Sequence, residues 1–386
     1  MRLAISLNPI SARFALFYAA FFIGFGAYLP YMPVWYEGRG LTPELIGLAG
    51  AAAMIGRVIS APIGAVWSDR ARRRRDAVVA FSFVALLVYL LHAPATHPAV
   101  LIALAFLGGA SMHAITPMID AFAMSEAARR GFAFGPPRAL GSAAFIAGNV
   151  IAGWLITQLG GEAALAWVVG GAVLTAIAAL ALPPGRRSQD APPAPVSWRS
   201  AGSLLSANGM ALALAASAMI QCAHGFYYAF SAIAWQAQGA SATLVGVLWS
   251  IGVGCEVVLL IFANRLFRGW SPAALMALGG AASVARWTAL ALSPPIWVLF
   301  ALQGLHALTF AATYLGLLRF VQDNAPEDGV ATVQAVNSAL SSGVFLALAT
   351  MASGLAYAAF QTAGFAFMAL PSGLGLVCAL LLMRRA

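Results

Sequence analysis

Charge is scarce in this 386-residue chain. Asp, Glu, Lys and Arg together make up 9% of it, against 62% hydrophobic residues and a mean hydropathy of +0.87. A soluble protein of this length needs far more polar surface to cover its core, so the composition excludes one and leaves an integral membrane protein. Lysine is absent, and all 21 basic residues are arginine. The net charge of +9 does not indicate a nucleic-acid partner, because the arginines are spread over short loops and tails, where topology and anionic headgroups account for them. Cysteine is also rare. Cys222, Cys255 and Cys378 all fall inside apolar stretches, with no CxxC pair and no loop positions for a disulfide framework, so they read as small packing residues. Neither an HExxH metal helix nor a GxSxG elbow occurs. That leaves an intramembrane enzyme as a remote alternative only, with no metal and no cofactor implied.

Apolar length is what the chain has in abundance. Crossing ~30 Å of hydrocarbon takes about 20 apolar residues in a helix. Such stretches lie near residues 13–35, 44–67, 77–92, 99–124, 137–159 and 163–182, and again near 208–234, 242–264, 272–292, 296–318, 332–358 and 362–383. The start shows no cleavage-site pattern, so the first stretch is expected to stay as an anchor. Eighteen arginines fall on one side of the twelve stretches and only Arg39 on the other, while Arg57 and Arg286 sit inside apolar runs. The positive-inside rule then places both termini in the cytoplasm, with a bacterial inner membrane as the expected location.

The second half repeats the first. Gly40 to Leu48 (GLTPELIGL) matches Gly239 to Val247 (GASATLVGV) at an offset of 199, a register that also pairs Gly26 with Gly225, Tyr28 with Tyr227 and Arg57 with Glu256. His113-Ala114-Ile115-Thr116 returns as His306-Ala307-Leu308-Thr309, and Arg138 to Ala143 as Gln334 to Ala339. Residues 1–182 and 208–386 therefore read as two six-helix bundles, joined by a Pro-, Ser- and charge-rich cytoplasmic linker at 183–207. Six helices per half with both ends on one side makes the repeats parallel, the plan of carriers that work by alternating access. The expected fold is an all-α membrane protein of twelve transmembrane helices in two parallel repeats.

Ionisable groups at bilayer depth are costly, and they mark substrate or ion paths unless they serve as structural ion pairs between helices. Arg57, Asp120, Glu256 and Arg286 are of this kind, joined by His113, His224 and His306. Two aromatic stripes run at helical spacing, Phe21, Phe25, Tyr28 and Trp35 in the first stretch and His224, Tyr228, Ser231 and Trp235 in the seventh. They fit either helix packing or a cavity wall suited to a flat ring. Arg57, Arg138 and Arg286 against Asp120 and Glu256 leave one unmatched positive charge, which an anionic substrate would neutralise through charge-assisted hydrogen bonds.

Several motifs carry a resemblance. Pro117-Met118-Ile119-Asp120-Ala121-Phe122, followed 18 residues later by Arg138 in Phe134-Gly135-Pro136-Pro137-Arg138, resembles the sugar-holding acid and arginine of the lactose permease family, with Asp in place of Glu. Glu256, Arg286 and His306, one per helix, are similar to that family's coupling trio, although Thr309 stands where the family has a carboxylate. The block Gln221 to Phe267, with His224, Tyr227, Tyr228, Trp235 and Glu256, is similar to the phenylpropionate permease group of the major facilitator superfamily, a superfamily that also holds nucleoside:proton symporters. Ala65 to Arg73 resembles that superfamily's loop G-x-x-x-D-R-x-G-R-R, with alanine in both glycine places and Asp69 and Arg70 retained as expected gating residues.

The resemblance implies a monomeric, proton-coupled symporter of major facilitator fold that imports a small aromatic carboxylate such as 3-phenylpropionate. A nucleoside or sugar symporter and an efflux carrier are the alternatives. The expected substrate-binding residues are Tyr28, Arg57, Asp120, Arg138, His224, Tyr228 and Trp235, with Glu256, Arg286 and His306 for proton coupling. The partners are a small solute, protons and the bilayer.

Overall fold

The computed structural model describes residues 8–185, 202, 205, 209–326 and 329–385, and among these the regular structure is helical throughout. The first half forms α1 (Pro9–Gly38), α2 (Pro43–Arg70), α3 (Arg74–His92), α4 (Pro98–Arg130), α5 (Gly135–Leu159) and α6 (Glu162–Ala181). The second forms α7 (Met210–Cys222), α8 (Gly225–Ala237), α9 (Ala242–Leu266), α10 (Pro272–Ala291), α11 (Ile296–Gly304), α12 (Thr313–Asn324), α13 (Val330–Ala339), α14 (Phe345–Phe360) and α15 (Ala366–Met383). Local chemistry explains the starts. Proline occupies the first turn of α1, α2, α4 and α10, where its missing N–H costs nothing. Asn8, Ser241 and Ser271 cap α1, α9 and α10 by accepting backbone N–H groups. Gly131 closes α4 in the left-handed conformation, at φ 69°.

Eleven helical runs among the described residues are long and apolar enough to cross a membrane. The last of them, Thr332–Met383, has 52 residues, about twice what one crossing needs. It is broken at Gln361, where φ is 50°, and its two parts pack on different neighbours, α14 on α2 and α15 on α10. The twelve stretches read from the sequence thus correspond to eleven runs, the last of double length. The expected linker at 183–207 lies largely outside the described residues.

In the first half α1 packs on α5 and α6, α2 on α4, and α3 on α4 and α6; in the second α10 packs on α12 and α15, and α7 on α15. The halves meet where α5 crosses α9, α2 crosses α14 and α1 touches α8. Lipid tails offer no hydrophobic drive for helix association, so close approach through small residues takes over. A Cβ on Gly153 would collide with the Ala242 carbonyl, and one on Gly246 with the Asn149 carbonyl, so α5 and α9 touch backbone to backbone. The Tyr31 hydroxyl donates to the Ala242 carbonyl at 2.8 Å, with the Asn149 carbonyl 3.2 Å away. Thr157 and Thr243 hydroxyls lie 3.0 Å apart. On the other side of the bundle, a Cβ on Gly47 would lie 2.8 Å from Gly354 Cα, joining α2 to α14. These contacts form a seam near the face where α1 ends and α2 and α9 begin, called the far face below.

Candidate functional site

Behind that seam the halves enclose a cavity of ≈ 310 Å³. Phe22, Phe25 and Phe145 wall it from the first half, and Tyr227, Tyr228, Trp249 and Phe310 from the second; Arg138, Glu256 and His306 are its ionisable groups. Its walls are largely aromatic with a few convergent polar groups, the usual make-up of a small-molecule site.

On the first half's wall Asp120 is the pivot. The Tyr18 hydroxyl donates to Asp120 Oδ1 at 2.7 Å, and Arg138 Nε lies 3.6 Å from the same oxygen. The Arg138 guanidinium stacks over Phe22 at 4.5 Å, which fixes its plane while leaving its remaining N–H groups to face the cavity. Asp120 and Arg138 each retain 31% side-chain exposure, so the pair is open to a ligand.

The second half's wall is a network whose hydrogens can be placed by elimination. Arg286, fully buried, only donates, so His306 Nδ1 at 3.1 Å from its Nη1 must accept. The ring hydrogen of His306 then sits on Nε2, which points at Glu256 Oε2 at 3.6 Å. The same logic fixes the Nδ1 hydrogen of His224, which donates to the Gln221 carbonyl at 3.1 Å; its Nε2 lies 3.1 Å from the Thr309 hydroxyl oxygen, which is also 3.2 Å from the His306 carbonyl. Arg286 also donates to Gln303 Oε1 at 2.8 Å and Thr309 Oγ1 at 3.3 Å, and the Tyr227 hydroxyl donates to Gln303 Oε1 at 3.1 Å. His306 is held with one hydrogen. A second hydrogen on His306 would face the arginine, so Glu256 is the group in this network with freedom to take up a proton.

Helix breaks make room for this network. The chain turns at Ala223 and His224 between α7 and α8, and a π-helical segment, Ala307–Ala312, follows α11. Wide turns of that kind recur at functional sites. Gln221 Nε2 donates to the Phe310 carbonyl at 3.2 Å, tying the two breaks together.

The structure brings together Asp120 with Arg138, and Glu256 with Arg286 and His306. Tyr228 lines the cavity. Tyr28 lines instead a second pocket of ≈ 70 Å³ that shares Leu29 and Tyr228 with the cavity. His224 is fully buried behind the cavity wall, its ring 5.8 Å from Tyr228, 5.5 Å from His306 and 6.0 Å from Phe310. Trp235, 1% exposed, packs against Tyr227 with ring centroids 5.9 Å apart and is absent from the lining. Arg57 lies within charge range of His113 and Tyr228 and makes no ion pair among the described residues. Asp69, in the last turn of α2, pairs with Arg74 at the start of α3, and Arg70 forms no ion pair among the described residues. Sequence reasoning missed Tyr18, Gln303, Thr309 and Trp249. Two of them carried a signal: Tyr18 stands one turn before Phe21 and two before Phe25 on the aromatic stripe, and Thr309 closes the repeated His306-Ala307-Leu308-Thr309 segment.

Comparisons with known proteins bear on the family and the fold. The profile of the MFS_1 like family matches residues 11–369. A probable 3-phenylpropionic acid transporter of Escherichia coli (strain K12) is 31% identical over 348 residues, covering 89% of this chain and 90% of its own length. The maltose permease of Geobacillus stearothermophilus is 26% identical over 377 residues, covering 96% and 94%. Among solved structures, a crystal structure of the nucleoside transporter NupG superposes with a TM-score of 0.80 at 16% identity, covering 97% of this chain and 99% of that one.

Proposed function

We propose, from the premise that the chain belongs to the MFS_1 like family and is a membrane transporter and not an enzyme, that it imports a small aromatic carboxylate such as 3-phenylpropionate together with a proton. The observation that carries this reading is the single cavity in which Arg138 of one half faces Glu256 and His306 of the other across aromatic walls. In this reading a carboxylate takes the open N–H groups of the Arg138 guanidinium, and the ring lies against Phe25, Phe145 and Trp249. An ionised Glu256 and a bound anion repel each other in one low-dielectric space. The anion therefore enters with the proton and leaves when the proton does. The bundles 1–182 and 208–386 rock about this site. In this reading the seam closes the far face, and the cavity exchanges with the arginine-rich face, which the positive-inside rule assigns to the cytoplasm.

The test is uptake by purified protein in liposomes under an imposed pH gradient, with competition by 3-phenylpropionate, its amide and a neutral nucleoside. The acid is expected to compete about a hundredfold better than the amide, because the amide loses charge-assisted hydrogen bonds to the Arg138 N–H groups that Asp120 leaves open, together worth about 3 kcal/mol. Equal competition by acid and amide refutes the anion reading. Preferential competition by the nucleoside selects a nucleoside carrier instead.

A further inference from the structure

We propose that a groove on the outer surface of the first half is a binding site for one phospholipid with an ethanolamine headgroup. The groove lies between α5 and α6, has a volume of ≈ 720 Å³, and is walled by Leu155, Leu159, Val173 and Leu174. Its back is α1. Trp167 Nε1 donates to the Ile23 carbonyl at 2.9 Å, and Gly171 lies so close to Gly24 that a Cβ there would be 2.4 Å from Gly24 Cα. The front is open, since Leu159, Ala166, Gly170 and Leu174 are all exposed along it. From Glu162 at the far face to Leu174 the groove follows α6 for twelve residues, ~18 Å at 1.5 Å per residue. That is about the depth of one leaflet in a hydrocarbon core ~30 Å thick, so the groove fits an acyl chain hanging from a headgroup at the far face.

The mouth of the groove carries the complement of that headgroup. Glu162 Oε2 accepts from Trp35 Nε1 at 3.0 Å and from Arg39 Nη2 at 2.9 Å. Its other oxygen, Oε1, makes no hydrogen bond among the described residues, on a side chain that is 68% exposed. The Arg39 guanidinium, 23% exposed, has no acceptor besides Glu162 among the described residues. A carboxylate oxygen and guanidinium N–H groups thus stand open side by side, which is what a primary ammonium and a phosphate ester in one headgroup require. The rest of the far face disfavours a purely anionic headgroup, because Glu37, Glu44 and Glu162 outnumber Arg39 there. A second copy of the chain suits the groove less well. Two copies in the same membrane orientation meet about an axis along the membrane normal, which brings their Glu162 carboxylates together at one depth.

Native mass spectrometry of the purified protein, given equal amounts of phosphatidylethanolamine and phosphatidylglycerol, tests the site. Wild-type protein is expected to retain one phosphatidylethanolamine at least about tenfold more often than phosphatidylglycerol, the worth of one charge-assisted contact. Gly170→Leu fills the groove. A Cβ at 170 meets nothing within 4 Å, and leucine is a better helix former than glycine, so this variant is expected to fold and to lose the lipid. Glu162→Gln keeps an oxygen for Trp35 and Arg39 but offers the ammonium no second acceptor, so it is expected to hold the two lipids equally. Added phosphatidylethanolamine is expected to raise the melting temperature of the wild type by a few degrees and to leave that of Gly170→Leu unchanged. Equal retention of the two lipids by the wild type, full retention by Gly170→Leu, or a lipid-free dimer in place of the lipid adduct overturns the proposal.

Discussion

Replacing Glu256 with Gln removes the proton while keeping the polar contact. The Gln side-chain oxygen can still accept from His306 Nε2, which lies 3.6 Å from the carboxylate oxygen now, so the Arg286, Gln303 and Tyr227 hydrogen bonds have no reason to reorganise. What disappears is the capacity to alternate between charged and neutral. One carboxylate moving with one proton is an electroneutral event, so the driving force is the pH gradient and not the membrane potential. A gradient of about two pH units is worth ~2.7 kcal/mol at 1.36 kcal/mol per unit, which sets a ceiling of ~100-fold accumulation. Wild-type protein in liposomes is expected to approach that ceiling and to be indifferent to valinomycin-imposed potentials. Glu256→Gln is expected to stop at a ratio of about one, because a fixed neutral group couples no proton, while exchange of labelled internal for external 3-phenylpropionate continues. Undiminished accumulation by Glu256→Gln would refute the assignment and move the proton to Asp120, the other carboxylate beside the cavity.

Arg138→Lys keeps the charge but loses the planar fork and the stacking over Phe22; substrate affinity is expected to fall about 10- to 100-fold, the worth of one charge-assisted hydrogen bond, with expression unchanged, and normal uptake would leave this arginine a topology signal only. Tyr31→Phe deletes the hydroxyl that joins α1 to α9 and costs about 1 kcal/mol of seam, so a thiol introduced as Thr157→Cys is expected to react several-fold faster from the far face; an unchanged rate would show that glycine packing alone closes it.

Sequence features with a local cause were legible before the fold was known. Apolar length marked the membrane stretches, the motif around Asp120 and Arg138 singled out that pair, and ionisable residues inside apolar runs singled out Glu256, Arg286 and His306, because each is anomalous against its own neighbours. Two kinds of feature were not legible. Gln303 is uncharged, so nothing in composition separates it from packing residues; only the turn geometry after α11 brings it and Thr309 to Arg286. Trp235 falls on the same stripe as Tyr228, yet it is buried against Tyr227, because α8 is sheathed on more than one side and spacing alone does not say which neighbour a stripe meets. Depth is the remaining gap. Tyr28 and Tyr228 share a wall, but which pocket each serves depends on where Leu29 divides the space.

Three arginines and two carboxylates share the membrane interior, and geometry locates the unmatched charge. Asp120 answers Arg138 at 3.6 Å. Glu256 answers Arg286 through the His306 ring, 3.6 Å from one nitrogen to the carboxylate and 3.1 Å from the other to the guanidinium. Arg57 is left, with no ion pair among the described residues. It sits near the middle of the 28-residue α2, with roughly 20 Å of helix on either side at 1.5 Å per residue, too far for its side chain to reach headgroups at either face. An arginine at that depth is tolerated when it faces a polar cavity or a partner, and it lies within charge range of His113 and Tyr228. Tyr228 is also the side chain, with Leu29, that separates the ≈ 310 Å³ cavity from the ≈ 70 Å³ pocket beyond it. In the proposed cycle an anion drawn toward Arg57 therefore comes to rest against that partition. In that cycle the spare charge stands beside the boundary between the two spaces, where it attracts an anion.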